Sequence, residues 1–278
     1  MNGAVPLLRV QGLSRSFGLR RTVAERVSRA QVQPARAVDD VSLTLRRGEI
    51  LGLAGESGSG KTTLARCIIR LVEPDAGTIE LDDMDVRAAH GKQLRELRRR
   101  MQMIFQDPYS SLNPRMTVGA ALHEAGRVHH RPGSENGEQF VREALERVHL
   151  SARIAKRRPR ELSGGQRQRV AVARALAVGP DVLIADEAVS ALDVSVQAQL
   201  LNLFLDLRDE LGVAILFVAH QLAVLAEVAD RVAIMNRGRL VEVGEAAAVF
   251  ANPQDAYTQS LLAAHPRPRL SHVATVDE

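Results

Sequence analysis

The chain has 278 residues, 45% of them apolar and 25% charged, a balance that excludes disordered and fibrous classes and suits one large domain or two modest ones. Apolar runs such as residues 213–219 fall well short of the roughly 18 to 20 residues of a membrane-spanning helix, and a single cysteine, Cys67, excludes an internal disulfide, a Cys-based zinc site and a Cys-ligated iron-sulfur cluster. The net charge is +4, only three of the 37 basic residues are lysines (Lys61, Lys92, Lys156), and with no Trp, two Tyr and six Phe there is no aromatic platform for nucleic acid, so the excess reads as a solvated Arg-rich surface.

In chain order, the opening MNGAVPLLRV lacks the basic and then apolar pattern of an export signal, which makes the cytoplasm the expected compartment. Strand-like runs at 7–13, 41–45, 50–54, 78–81, 101–105, 182–185, 214–218, 232–236 and 240–243 alternate with helical patterns. The helical patterns follow Gly60 and lie at 138–148, 164–177, 194–211 and 221–229, so an α/β protein is expected. No convincing strand lies between about 107 and 179, which predicts a helical subdomain inserted between two sheet strands. Residues 18–37 read as an Arg-rich solvated loop, and 266–278 as a flexible tail after one domain spanning 1–265.

The strand at 50–54 runs into Gly55, Glu56, Ser57, Gly58, Ser59, Gly60, Lys61, Thr62 and Thr63 and then into a helix. This is the phosphate-binding P-loop pattern in its required setting of strand, glycine-rich loop and helix. Gly55, Gly58 and Gly60 let successive N–H groups converge on phosphate oxygens, Lys61 adds a compact positive charge, and the Thr62 hydroxyl can ligate Mg²⁺. About 125 residues beyond Lys61 an apolar strand ends in Asp186 and Glu187. Asp186 is placed to hold Mg²⁺ through a shared water, and strand alternation sends Glu187 to the other face, where it can polarise an attacking water. Between these elements, Leu162-Ser163-Gly164-Gly165-Gln166 opens a helix for which Ser163 is an N-cap.

The P-loop, this pentapeptide and the acidic strand, in this order, resemble the nucleotide-binding subunits of ABC transporters, from about residue 7 to 264. The resemblance implies a P-loop ABC ATPase core with an antiparallel β subdomain and an inserted helical subdomain, binding and hydrolysing ATP with Mg²⁺. It implies that Ser163, Gly164, Gly165 and Gln166 complete the ATP site of a partner subunit. Gln106 then resembles the glutamine that reaches Mg²⁺ and the attacking water, Asp193 belongs to a loop crossing the dimer interface, and His220 contacts the γ-phosphate. Phe17 stands where the family places an aromatic ring on adenine, although a core position is the alternative reading.

The strings at 105–115 and 188–199 resemble the ATPases of oligopeptide, dipeptide and nickel importers, and 252–262 resembles their C-terminal pattern more loosely, since Asp255 and Ala256 replace the usual His and Pro. The expectation is an ATPase subunit at the cytoplasmic face of the cell membrane. Its expected partners are a second ATPase subunit, identical or different, two membrane permeases and, indirectly, a solute-binding protein, with no nucleic acid. Phe105 to Pro114 and the helices after it are expected to form the permease-docking groove, with Tyr109 and Leu112 in it. The alternatives are a non-transport ABC ATPase, an exporter ATPase, or the ATPase of a nickel, glutathione or phosphonate-type system.

Overall fold

The computed structural model describes residues 5–18, 35–107, 111–190 and 192–264. Strands β1 (Leu8–Phe17), β2 (Ala35–Leu45), β4 (Ala76–Leu81) and β5 (Met84–Asp85) form an antiparallel sheet in the order β2-β1-β4-β5. The second sheet has the order β10-β9-β3-β8-β7-β6. In it, β3 (Ile50–Ala54), β6 (Met101–Ile104), β7 (Val182–Asp186), β8 (Ala214–Val218) and β9 (Arg231–Asn236) run parallel, and β10 (Arg239–Glu245) returns antiparallel to β9.

Strands β3, β7 and β8 are buried at every position. A parallel strand covered on both faces loses the in-out alternation of polarity, which is why these segments read as unbroken apolar runs. The side chains still alternate in direction. Val182, Ile184, Leu216 and Val218 join the core shared with the antiparallel sheet, α1 (Lys61–Ile68) and α2 (Gly91–Arg100). Leu183, Ala185, Ile215 and Phe217 face the opposite core, built with α3 (Val118–Val128), α4 (Gly137–Glu146), α5 (Gly164–Ala177), α6 (Val194–Leu211) and α7 (Leu222–Val228). There the Phe204 and Phe217 rings meet edge to face, 5.2 Å between centroids. The chain then closes over β10 with α8 (Ala246–Ala251) and α9 (Ala256–Ala263).

Several elements differ from expectation. Strands β1 and β2 run longer than their apolar cores because they pair with each other as far as Phe17 with Ala35, so the last three residues of the expected 18–37 loop belong to β2. The rest of that loop, 19–34, and the expected tail lie outside the described residues. Helix α2 was not expected: its apolar stripe is narrow, with Leu97 the one buried residue among its ten and Leu94 packed partly buried against the same core. Side-chain ion pairs add to that packing: Arg99 to Glu96 at 2.6 Å, and Arg100 to both Asp82 (3.0 Å) and Asp181. Among the described residues, no helix is long and apolar enough to cross a membrane.

Candidate functional site: a phosphate cradle beside an acidic strand

Strand β3 ends against Gly55, whose φ of +147° and crowding leave no room for a side chain: a Cβ there would stand 2.1 Å from the Met235 carbonyl oxygen. Gly60 is equally constrained, with φ +109° and a Cβ position 2.0 Å from the Ala37 carbonyl oxygen. These glycines let the loop curl tightly under β2 and β9 before α1 begins at Lys61. Glu56, Ser57 and Gly58 stay exposed, Ser59 is buried, and Thr62 and Thr63 are half-buried. The loop is tied from outside by two bonds: Gly238 N–H donates to the Ser59 carbonyl at 2.9 Å, and Glu56 N–H donates to the Tyr257 hydroxyl at 3.2 Å.

Lys61 is only 4% exposed, and its Nζ donates to the carbonyl oxygens of Gly55 (2.7 Å) and Glu56 (2.8 Å) and to Ser59 Oγ (3.4 Å). Burial lowers its pKa, while the Glu187, Asp186 and Glu56 carboxylates act in the opposite sense. A buried ammonium at the mouth of a glycine loop that opens a helix N-terminus suits an anion with several oxygens, such as a polyphosphate, once those oxygens take the place of the carbonyls it now donates to.

Asp186 closes β7 on the side of α1, following Val182 and Ile184, and so meets Thr62, whose Oγ1 donates to Asp186 Oδ1 at 3.0 Å across 124 positions of sequence. Burial raises the Asp186 pKa, and the Thr62 hydrogen bond opposes that rise. These two oxygens form a hard-donor pair at the loop's edge. Among the described residues no cluster of three His, Cys, Asp or Glu side chains is arranged for a metal, so a cation here would complete its shell with phosphate oxygens and water, as Mg²⁺ usually does.

Glu187 does not continue the strand. Its φ of +49° puts it in the left-handed region, which replaces the simple alternation expected of it. Its N–H donates to the Val218 carbonyl at 3.0 Å, while its carboxylate accepts a hydrogen bond from Gln106 Nε2 at 2.9 Å and lies 3.7 Å from His220 Nδ1. Side chains from the ends of β6, β7 and β8 thus converge. This is what parallel strands achieve at their carboxyl ends.

The remaining expected residues lie elsewhere. Ser163 caps α5 in a reciprocal box with Gln166, Ser163 Oγ accepting from Gln166 N–H (3.3 Å) and Gln166 Oε1 from Ser163 N–H (3.2 Å). Asp193 caps α6, and a Cβ on Gly165 would come within 2.4 Å of Val196, so these two helix starts pack together. Ser163, Gly164 and Asp193 are exposed, as is Val194 at 85%. Phe17 is 43% exposed, which removes the core alternative, and the Arg15 guanidinium stands 5.0 Å from its ring centre. Tyr109 lies outside the described residues, and Leu112 is buried in the core and so is not part of a docking groove. A cavity of about 480 Å³ does lie beside Phe105, bordered by Leu71, Met103, Ala125, Val128 and Arg174. Tyr257 was legible only as part of the C-terminal string; 201 positions separate it from the loop it touches, and no spacing signals that contact.

The family model for the ABC transporter domain matches residues 38–190. "Probable peptide ABC transporter ATP-binding protein y4tS" of Sinorhizobium fredii is 46% identical over 262 residues, 94% of this chain and 73% of that protein. "Glutathione import ATP-binding protein GsiA" of Salmonella typhimurium is 48% identical over 94% of this chain, which spans only 41% of that longer protein. Among solved structures, the ADP- and phosphate-bound dimer of the ATP-binding cassette MJ0796 is 26% identical, with a TM-score of 0.71 over 86% of this chain and 98% of that one. For cbiO1 of Clostridium perfringens, part of the cbiONQ ABC transporter complex, the values are 26%, 0.75, 89% and 91%. The chain belongs to the ABC transporter ATP-binding family. Its fold is that of an ATP-binding cassette and its activity is ATP hydrolysis.

Proposed function

We propose that the chain is the ATP-hydrolysing subunit of an importer for peptides or a related small solute such as glutathione, seated at the cytoplasmic face of the cell membrane. The similarity to peptide- and glutathione-import proteins at 46% and 48% identity over 94% of the chain carries the solute class. The site supports the chemistry. Lys61 and the loop amides would hold the phosphates, Thr62 and Asp186 with Gln106 would hold Mg²⁺, and Glu187, oriented by Gln106 and His220, would take a proton from the attacking water. Mg²⁺ bound there would supply charge neutralisation at the β- and γ-phosphates.

Residues 1–265 act as one nucleotide-binding domain, with a helical subdomain at about 107–179 and a C-terminal segment at about 245–265. The exposed Ser163, Gly164, Asp193 and Val194 are offered to a second ATPase subunit, and they support a reading in which each site is completed across a dimer, with Phe17 stacked on adenine. The cavity beside Phe105, with Leu71 and Val128 half exposed on its border, receives a cytoplasmic segment of a permease. The deciding experiment co-expresses the chain with candidate permeases and a solute-binding protein of the peptide-import type and measures ATP-dependent uptake of labelled peptides and glutathione in proteoliposomes. Failure to assemble with any permease would favour a non-transport ATPase.

A further inference from the structure

We propose that Tyr257, on the C-terminal helix α9, is a positioning residue for nucleotide binding: its hydroxyl sets the conformation of the P-loop through Glu56. The inference rests on the reading of the P-loop as the ATP site. Glu56 is held at both of its main-chain groups. Its carbonyl accepts from Lys61 Nζ at 2.8 Å, and its N–H donates to Tyr257 at 3.2 Å, so the tyrosine and the lysine bracket one residue of an otherwise exposed loop stretch. Whatever fixes the Glu56 carbonyl also fixes one of the carbonyl oxygens that aim the Lys61 ammonium.

The tyrosine is itself well anchored. Asp255 Oδ1 accepts from the N–H groups of Tyr257 (2.8 Å) and Thr258 (3.4 Å), capping α9. The N–H groups of Gln254 and Asp255 donate in turn to the Glu242 carboxylate on β10, at 2.8 and 3.2 Å. A chain of bonds therefore runs from the sheet edge through Glu242, Asp255 and Tyr257 to the loop. The Tyr257 ring is partly buried against the core beside α8 and β10, so the hydroxyl is presented from a fixed base.

The energetic consequence concerns preorganisation. Freed of the tyrosine, the loop spends part of its time in conformations that do not accept phosphates, and the apparent affinity falls in proportion to the competent fraction. A neutral hydrogen bond of ordinary strength corresponds to a factor of about 2 to 10.

The test is titration of the purified full chain with Mg-ATP and Mg-ADP, alongside ATPase kinetics and thermal unfolding, for the parent, Tyr257→Phe and Leu262→Ala. Phe keeps the ring and removes only the hydroxyl. Leu262→Ala, on the same helix and packed against the same core, loosens docking but leaves the hydroxyl in place. Tyr257→Phe is expected to weaken both nucleotides by about 2- to 10-fold, with turnover at saturating ATP reduced far less than affinity. Leu262→Ala is expected to lower the unfolding temperature and to weaken affinity clearly less than Tyr257→Phe does. Equal affinity in Tyr257→Phe and the parent would overturn the proposal, as would an equal loss in Leu262→Ala, which would trace the effect to helix docking in general. Lys61→Ala serves as the reference: a parent that binds nucleotide no better than it does would overturn the reading of the site, and this inference with it.

Discussion

Gln106 Nε2 donates to Glu187 Oε2 at 2.9 Å, although 81 positions and several helices separate the two in sequence. The contact fixes one carboxylate oxygen, while the other faces His220 at 3.7 Å. A carboxylate oriented in this way is suited to accept a proton, and an isosteric amide is not. Glu187→Gln is therefore expected to retain Mg-ATP binding while turnover falls about 10²- to 10⁴-fold, and to accumulate an ATP-bound dimer on size-exclusion chromatography. Hydrolysis at the parental rate would remove Glu187 from the mechanism, and loss of ATP binding would make the residue structural.

Lys61→Ala should weaken ATP binding by at least about tenfold, since charge-assisted bonds to phosphate are worth roughly 1.5 to 3 kcal/mol. The variant also empties the ring of carbonyl oxygens from Gly55 and Glu56 that the ammonium now occupies. Calorimetric titration checks it; unchanged affinity would contradict the assignment of the loop.

Ser163→Arg should leave nucleotide binding to the isolated chain nearly intact and abolish ATP-driven dimerisation, because the residue is exposed and caps α5 rather than lining the P-loop. Losing the cap adds a stability cost of about 1 kcal/mol, seen as a fall of a few degrees in unfolding temperature. An equal loss of monomer binding would show that the Leu162–Gln166 element acts within its own chain.

Leu71→Glu tests the cavity beside Phe105. Leu71 is 51% exposed and borders that cavity, so a charge there is tolerated by the fold but not by an apolar partner. The expected outcome is intact ATP binding with loss of permease co-purification or of coupled uptake. Normal uptake would move the docking site elsewhere.

Cys67 supplies a pH-linked prediction. Burial pushes its thiol from an ordinary 9.0 up to about 11, so the folded state holds the proton more tightly than the unfolded chain. The linked stability is present in full below 9.0 and is lost as the pH rises through the window to about 11, on the order of 2 to 3 kcal/mol in total. Urea midpoints at pH 8 and pH 10.5 should converge between the parent and Cys67→Ala as the pH rises. A constant gap between the two proteins would refute it. The thiol should also resist alkylation until the chain unfolds.

Local sequence alone determined the segments whose chemistry is written in consecutive residues. The loop from Gly55 to Thr62 follows a strand because Ile50–Ala54 is apolar throughout, and Gly55 and Gly60 stand where backbone crowding excludes a Cβ. Asp186 at the end of Val182–Asp186 and the cap at Ser163 were legible for the same reason: a strand end or a helix start is a local event governed by near neighbours. Helix α2 was not legible, because its ion pairs to Asp82 and Asp181 reach distant parts of the chain while only Leu97 is buried within it.

Tertiary structure alone decided which of those local pieces meet. The ladder of parallel strands brings the ends of β6, β7 and β8 side by side, so Gln106, Glu187 and His220 gather at one edge, and alternation along β7 turns Asp186 toward Thr62 on α1. The left-handed turn at Glu187 and the reach of Tyr257 to Glu56 belong to the same category. Contacts between residues 81 or 201 positions apart leave no period or spacing in the sequence, because they are set by sheet register and by how the C-terminal helix closes over β10.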